Sequence, residues 1–323
     1  MTTPTASQPM PSASLAFGYF FGLTMALGAA TSFAMARAGA LAGLAAEDMI
    51  LARAAVAGAI MLPFLLIWGL PSLAGIGWKR GLILLLTGGP LFAFLQTGGY
   101  TFAPLAHGAV IAPSTVTVLS TIGAVLLLGE RLTVSHVVGG TLVLFGVGLI
   151  SWNGFVGAPA TDTTWIGDLM FVVSSLLWAT FTLLMRKWRI DPIRATAVVA
   201  VLTAAVVIPA YFAWRGLDRL VGLPLGALAA QGLAQGLVQG VITLIAYTKA
   251  IAILGVSRAV LFPAIVPAIA ILIGIPLVGE IPDATQIAGL ALVSLCLLAA
   301  VGIFRSFAGR PQTKPTILMP KPC

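Results

Sequence analysis

The sequence AVIAPSTVTVLSTIGAVLLLGERLTVSHVVGGTLV, from Ala109 to Val143, recurs in diverged form 150 positions later, from Ala259 to Val293. The two copies align without a gap, and both open with Ala-Val-x-x-Pro and later carry Gly-Glu. The identical pairs are Ala109/Ala259, Val110/Val260, Pro113/Pro263, Val116/Val266, Leu127/Leu277, Gly129/Gly279, Glu130/Glu280, Gly139/Gly289, Leu142/Leu292 and Val143/Val293. A weaker echo at an offset of 149 pairs Gly18, Leu27, Ala30, Thr31 and Arg37 with Gly167, Leu176, Ala179, Thr180 and Arg186. The chain is therefore two copies of one unit of about 150 residues.

The composition places these two units in a membrane. Hydrophobic residues make up 59% of the chain and charged residues 8%, and the mean hydropathy is +1.08. Soluble domains carry about 25% charged residues, so this chain cannot present a water-compatible surface. The net charge of +8 does not indicate a nucleic-acid partner, because the basic residues stand at the ends of apolar runs, where membrane orientation explains them.

The apolar runs have the length of membrane-spanning helices. About 20 helical residues cross the hydrocarbon layer of a bilayer, and the chain contains ten runs of that size. We number these spans 1 to 10 in chain order: 15–36, 48–69, 80–101, 106–128, 132–152, 164–186, 193–214, 227–248, 257–278 and 285–305. The predicted fold is therefore an all-α membrane protein with ten transmembrane helices in two five-helix repeats.

The chain divides into four segments. We expect a cytoplasmic N-terminal segment at 1–14, the first repeat at 15–152, the second repeat at 164–305 and a disordered, Pro/Lys-rich tail at 306–323. The first segment has no Lys or Arg, so it lacks the basic region of a secretory signal, and the first apolar run should remain as a span.

The distribution of Lys and Arg predicts the orientation. If the N-terminus is cytoplasmic, thirteen of the seventeen Lys and Arg residues fall on the cytoplasmic side. The four on the opposite side are Arg37, Arg53, Arg215 and Arg219. Cytoplasmic loops are enriched in basic residues, so both termini should be cytoplasmic in a multi-pass protein of the inner membrane. Because each repeat has five spans, an odd number, the second repeat should enter the membrane from the other side and be inverted relative to the first.

These features resemble the drug/metabolite transporter superfamily, in its ten-helix form with two EamA-type units. The matching pieces are Arg53, Tyr100–Ala103, Gly108–Pro113, Leu128–Glu130, Tyr247–Ala250, Gly255–Ala259, Pro263 and Val278–Glu280. The resemblance covers nearly the whole chain. It implies a small-molecule carrier, often an exporter of amino acids or related metabolites, with a central cavity lined by both halves.

Polar residues on spans 3 and 8 are the first candidates for a substrate site. Gln231, Gln235 and Gln239 recur every four residues, and Tyr247 follows on nearly the same side of the helix. Gln96 and Tyr100 have the same spacing on span 3, the equivalent of span 8. Both stripes could therefore face one central cavity, although interhelical amide clamps also explain such glutamines.

Spans 1, 2 and 6 offer three further candidates. Thr31 can contact solute, or bond its own backbone as helical hydroxyls usually do. Trp178 lies mid-helix, where it can stack on a substrate or pack in the core. Arg53 follows two acids by five and six positions, and it can pair with Glu47 or Asp48 or bind a substrate carboxylate.

Gating residues are expected at matched positions of the two repeats. Pro113 and Pro263 would bend spans 4 and 9, which permits gating but is also compatible with static curvature. Glu130 and Glu280 follow glycines at the ends of the same spans, and they serve as capping elements or as gates.

The chemistry of transport is bounded by what the sequence lacks. It has no Gly-x-x-x-x-Gly-Lys-Ser/Thr motif for nucleotide phosphates, no acid near the centre of a span, and no nucleophile, paired-carboxylate or metal cluster of an enzyme at depth. The two cysteines have no metal spacing, so no cofactor is expected. We predict a non-enzymatic carrier that exports small polar or zwitterionic solutes, such as amino acids, by alternating access. An importer of a neutral or aromatic metabolite, such as a riboflavin-like vitamin or a nucleoside, is the alternative, and a channel is the remaining class.

Overall fold

A computed structural model describes residues 12–129, 141, 145–146, 163–259 and 261–300. Across these residues the secondary structure is helical, without strands. The spans keep their predicted numbers. Their observed bounds are Ser12–Leu41 (span 1), Ala46–Trp68 (2), Trp78–Gly88 and Pro90–Phe102 (3), Leu105–Leu128 (4), Thr164–Trp188 (6), Pro192–Val221 (7), Leu225–Gln231, Gly232–Ile242 and Thr243–Leu254 (8), Val256–Ala259 and Leu261–Val278 (9), and Ala284–Ala300 (10).

Eight of the described helical stretches are long and apolar enough to cross a membrane, and Ala284–Leu295 forms a shorter apolar helix. Predicted span 5, at 132–152, lies outside the described residues except for helical positions 141, 145 and 146. The predicted tail and Glu130 also lie outside them. The expectation of an all-helical, multi-pass architecture is therefore confirmed for the part of the chain that the structure describes.

Span 3 departs from the prediction of one continuous helix. Its first helix stops at Gly88, and Gly89 has φ −97° and ψ −134°, which is not helical. Pro90 then opens the second helix at its first position, where the missing N–H of proline costs no hydrogen bond. A Gly-Pro pair thus divides span 3 while each half keeps unstrained helical geometry.

The repeated Gly-Glu motif has a structural role at its glycine. Gly129 and Gly279 end spans 4 and 9 with φ of 70° and 76°. A positive φ at the end of a helix strongly favours glycine, because a Cβ crowds the backbone there. The repeat therefore preserves, in both halves, a helix that ends at a glycine with a left-handed backbone conformation.

Both repeated prolines lie in helical segments. Pro113 lies well inside the helix Leu105–Leu128. Pro263 lies in Leu261–Val278, which follows the helical stretch Val256–Ala259, and residue 260 between them is outside the described residues. Pro267 and Pro276 are further prolines of the same helix. The pair of equivalent kinks at Pro113 and Pro263 therefore stays a prediction.

The first span of each half packs against the opposite half. Span 1 lies against spans 8 and 9, and span 6 lies against spans 3 and 4. Span 2 packs along span 7, its equivalent. Matched small residues serve these contacts: a Cβ on Gly18 would meet Leu254, and a Cβ on Gly167 would meet Ala103. Small residues allow membrane helices to approach closely, so the same residue type supports equivalent contacts in both halves.

Ion pairs identify one end of this bundle, which we call the Arg37 end. Here span 1 ends, spans 2 and 4 begin, and Glu280 stands two positions after the last residue of span 9. Spans 6 and 8 also begin at this end, because Asp168 bonds His107 and Gln231 bonds Met35. The starts of spans 2, 4, 6 and 8 therefore share one end of the bundle with the ends of spans 1 and 9.

Candidate functional site

Spans 3 and 6 meet along a ladder of side chains at helical spacing. Nearest the Arg37 end, the rings of Tyr100 and Phe171 lie 4.8 Å apart. One turn further along, Ser174 Oγ donates a hydrogen bond of 2.9 Å to Gln96 Oε1. Tyr100 is 1% exposed, and neither its Oη nor Gln96 Nε2 makes a hydrogen bond in the structure. Two polar groups of predicted site residues are thus buried and unsatisfied between the halves, and such groups are costly unless something else satisfies them.

Further along the same contact between spans 3 and 6, the paired side chains are aromatic. Phe92 on span 3 stacks on Trp178 on span 6, with ring centroids 4.8 Å apart and planes inclined by 28°. Trp178 also contacts Phe181, at 5.0 Å. The guanidinium of Arg53, on span 2, lies 6.0 Å from the Phe92 ring centroid. The predicted residues Arg53, Trp178 and Gln96 therefore come together, joined by Phe92, which the sequence argument did not single out.

The acids near Arg53 are bound by other residues. Glu47 pairs with Arg215. Asp48 is 0% exposed, and its carboxylate accepts hydrogen bonds from Arg219 at 2.8 Å and from the Tyr211 hydroxyl at 2.6 Å. The predicted structural pairing of Arg53 is therefore not observed. Among the described residues, no carboxylate forms an ion pair with its guanidinium.

The glutamines of span 8 fall into two groups. Gln231 donates through Nε2 to the carbonyl of Met35, and Gln235 donates to the carbonyl of Ser32 at 2.6 Å. These two side chains clamp span 8 to span 1. Gln239 has no described hydrogen bond to span 1, and its Oε1, like that of Gln231, is buried without a hydrogen-bond partner.

Tyr247 and Thr31 lie where span 1 contacts spans 8 and 9. Tyr247 packs against the apolar cluster of spans 1, 8 and 9, as does Phe33, whose ring is 6.5 Å from that of Tyr100. Thr31 lines a cavity of about 580 Å³ together with Met35 and four residues of span 9, Leu272, Ile273, Pro276 and Leu277. Phe33 also packs against the cluster that contains Tyr100. Among the described contacts, none joins Thr31 or Tyr247 to Arg53.

Glu280 joins the two halves of the protein. Its Oε1 accepts a hydrogen bond of 2.6 Å from Arg37 Nε, and its Oε2 accepts one of 2.7 Å from the backbone N–H of Leu105. Arg37 also donates to the carbonyl of Tyr100 at 2.6 Å. A carboxylate of the second half thus holds a guanidinium and a helix N-terminus of the first half. The repeated arginine in the sequence was the signal that could have identified Arg37 as its partner.

Three further contacts reinforce the same end. His107 and Asp168 are 2.9 Å apart across spans 4 and 6, and the Asp48 and Glu47 pairs join spans 2 and 7. A cavity of about 280 Å³ lies beside Glu280, between Leu105 and residues 281–283. At the opposite end the described contacts between halves include Arg80 over the Trp188 ring and Arg194 donating to the carbonyl of Ala74.

The described residues contain no group of three His, Cys, Asp or Glu that could hold a metal ion. What they contain is a helical bundle with polar and aromatic pairs between its halves. With eight described helices long and apolar enough to cross a membrane, this arrangement is that of an integral membrane protein.

The chain belongs to the EamA-like transporter family, which it matches over residues 16–152 and 165–304. Each matched stretch corresponds to one of the two repeats, and the match confirms the resemblance to the drug/metabolite transporter superfamily. A solved structure described only as the crystal structure of a protein is similar at 18% identity, with a TM-score of 0.57, over 92% of this chain and 99% of that one. No curated protein gives a significant match. The protein is therefore a membrane transporter of the drug/metabolite type.

Proposed function

We propose that this transporter is an alternating-access carrier that exports small polar or zwitterionic metabolites, such as amino acids. The observation that carries the proposal is the Glu280 contact, in which one carboxylate of the second half closes on two donors of the first half. A carrier needs a contact of this kind at each end, formed in one conformation and broken in the other.

The relation between the halves supports this mechanism. Spans 1 and 6 each pack into the opposite half, and span 1 ends at the end of the bundle where span 6 begins. These are the features expected of an inverted pair, in which the two halves can exchange conformations about a site between them. We infer that the structure is closed at the Arg37 end, where Arg37 and Glu280 act as a gate.

The strength of the gate suits a reversible step. Arg37 and Glu280 are partly buried, with side-chain exposures of 15% and 26%. Hydrogen bonds to charged groups contribute about 1.5 to 3 kcal/mol each, so a few of them keep the end closed without locking it. Substrate binding energy of similar size can shift such a balance.

Orientation and location form a separate part of the proposal. The excess of basic residues at the opposite end favours a cytoplasmic position for that end and for both termini, in the inner membrane. Impermeant maleimide added to intact cells should then label Ile281→Cys, which is 82% exposed in the wild type, and should not label Lys79→Cys until the cells are permeabilised. The reverse labelling would overturn the orientation.

Counterflow in proteoliposomes tests the function directly. Purified protein should exchange an internal unlabelled amino acid for an external labelled one, with saturation, when a panel of amino acids, riboflavin and nucleosides is compared. Exchange of riboflavin or nucleosides alone would favour the alternative of a vitamin or nucleoside carrier. Linear flux that does not saturate would indicate a channel and would contradict the proposal.

A further inference from the structure

We infer that Arg53 binds the carboxylate of the transported solute and that Phe92 and Trp178 bind its planar apolar part. The substrate class is then a monocarboxylate with an aromatic ring, such as an aromatic amino acid. This inference rests on the proposed function and names the substrate for the same site.

Arg53 lies inside span 2, at the contact between the two halves. It lies seven residues after the first residue of Ala46–Trp68, about 10 Å along the helix axis, and its neighbour Phe92 stacks on Trp178 of span 6. The guanidinium therefore faces the contact between the halves rather than lipid. An ionisable group inside a membrane bundle marks a functional site unless a partner accounts for it.

No described carboxylate forms an ion pair with the guanidinium of Arg53. The two acids within reach by sequence, Glu47 and Asp48, are bound to Arg215 and Arg219. The aromatic ring of Phe92 at 6.0 Å provides the only described interaction of the guanidinium, at the outer limit for a cation–π contact. A planar guanidinium presents paired donors that match a carboxylate in a bidentate arrangement.

A second donor lies on the same face of span 3. Gln96 is one helical turn from Phe92, and its Oε1 is held by the Ser174 hydroxyl. Its Nε2 is buried and has no hydrogen-bond partner. The Ser174 hydroxyl, which also lies 2.8 Å from the carbonyl of Phe171, holds the amide in place, and the Nε2 of Gln96 offers a donor to an anionic ligand.

The aromatic pair selects the rest of the ligand. Phe92 and Trp178 are both only partly buried. Trp178 already contacts Phe92 and Phe181, so the flat apolar surface beside the guanidinium is that of Phe92, supported by Trp178 behind it. A ligand ring gains stacking energy there only if it is planar. A small acid such as alanine would fill the donor end and leave the rings uncovered.

Binding calorimetry on the purified protein tests this with four probes: tryptophan, indole-3-propionate, which lacks the amine, tryptophanamide, which lacks the carboxylate, and alanine, which lacks the ring. We expect tryptophan and indole-3-propionate to bind at least tenfold more tightly than tryptophanamide or alanine. Arg53→Gln should weaken tryptophan at least tenfold and leave tryptophanamide unchanged, because the lost interaction is with the carboxylate alone. Arg53→Lys, which keeps the charge, should recover part of the loss.

The matched control is Arg80→Gln. Arg80 also places its guanidinium over an aromatic ring, that of Trp188 at 5.6 Å, but at the opposite end of the bundle, so its loss should change neither ligand. Equal weakening of tryptophan and tryptophanamide by Arg53→Gln would show a structural role and overturn the inference. So would wild-type protein that binds tryptophanamide as tightly as tryptophan, a comparison that needs no variant. Saturable counterflow of a solute without a carboxylate would overturn this inference and leave the carrier intact, whereas the absence of saturable exchange would contradict the proposed function itself.

Discussion

At the scale of single residues, the helix geometry explains why Arg53 does not pair with its neighbours in sequence. Residues five and six positions apart lie about 140° and 120° around an α-helix from each other, so Glu47 and Asp48 face away from Arg53. The end of span 7 lies against these acids and supplies Arg215 and Arg219. From the sequence, an arginine inside a span is a candidate for function. Helix geometry already disfavours its pairing with Glu47 or Asp48. Only the fold shows that Arg215 and Arg219 bind these two acids.

Gly39 is required by the clamp between spans 1 and 8. A Cβ at this position would lie 2.5 Å from Gln231 Nε2 and 2.6 Å from Met49 Sδ. We expect Gly39→Ala to displace the Gln231 side chain from the Met35 carbonyl. The free energy of unfolding should fall by about 1 to 3 kcal/mol, and the unfolding midpoint should fall with it. The measurement is thermal unfolding of purified protein in detergent.

Gly226→Ala is the matched control for Gly39→Ala. Gly226 is also helical, but a Cβ there meets nothing within 4 Å. Since alanine is the better helix former, this variant should unfold at the same or a slightly higher temperature. Equal midpoints for the two variants would show that the Gln231 clamp adds nothing to stability.

At the scale of elements, the regular spacing of glutamines on span 8 could be read from the sequence, but the π-helix that carries two of them could not. The fourfold spacing of Gln231, Gln235 and Gln239 predicted one shared face, and Gln231 and Gln235 both bond span 1, but the segment Gly232–Ile242 is a π-helix. In a π-helix the bonds run from i to i+5 and a turn takes about 4.4 residues, so residues four apart still stay together. Sequence spacing does not distinguish the two helices, because both tolerate the same residue types, and π segments often accompany functional sites.

The π segment packs directly on the backbone of Arg53. A Cβ at Gly236 would lie 2.7 Å from Val56 Cβ and 3.0 Å from the Arg53 carbonyl oxygen. We expect Gly236→Ala to push span 8 away from span 2 and to reduce the maximal counterflow rate several-fold, because Arg53 moves with its backbone.

Gly240→Ala should leave the counterflow rate unchanged. A Cβ there meets its nearest atoms at 3.4 and 3.5 Å, which is ordinary van der Waals contact. If Gly236→Ala transports as fast as Gly240→Ala, the close approach of these two spans is unnecessary for transport.

At the scale of the whole molecule, the repeat predicted a helical bundle made of two matched halves. The matched glycines at the ends of spans 4 and 9 adopt the same left-handed conformation, and the first span of each half packs into the other half. The sequence could not predict the break at Gly89, because many glycines continue a helix, or the ladder between spans 3 and 6, because facing side chains depend on helix rotation. The sequence analysis singled out Gln96, Tyr100 and Trp178. Their partners Ser174, Phe171 and Phe92 depend on tertiary packing and could not be predicted.

The central claim is that the two halves must separate at the Arg37 end during each transport cycle. A reversible cross-link there tests it most directly, in protein whose Cys296 and Cys323 are replaced by serine. Arg37→Cys and Glu280→Cys would be joined with a bifunctional methanethiosulfonate reagent, and counterflow would be measured before and after reduction, with each single-cysteine variant as a control. We predict at least a tenfold fall in exchange on cross-linking and full recovery on reduction. In each single variant, whose exchange rate before treatment already includes the loss of the Arg37–Glu280 ion pair, the reagent should cause no comparable fall. Exchange at an undiminished rate in the cross-linked protein would contradict alternating access at this gate.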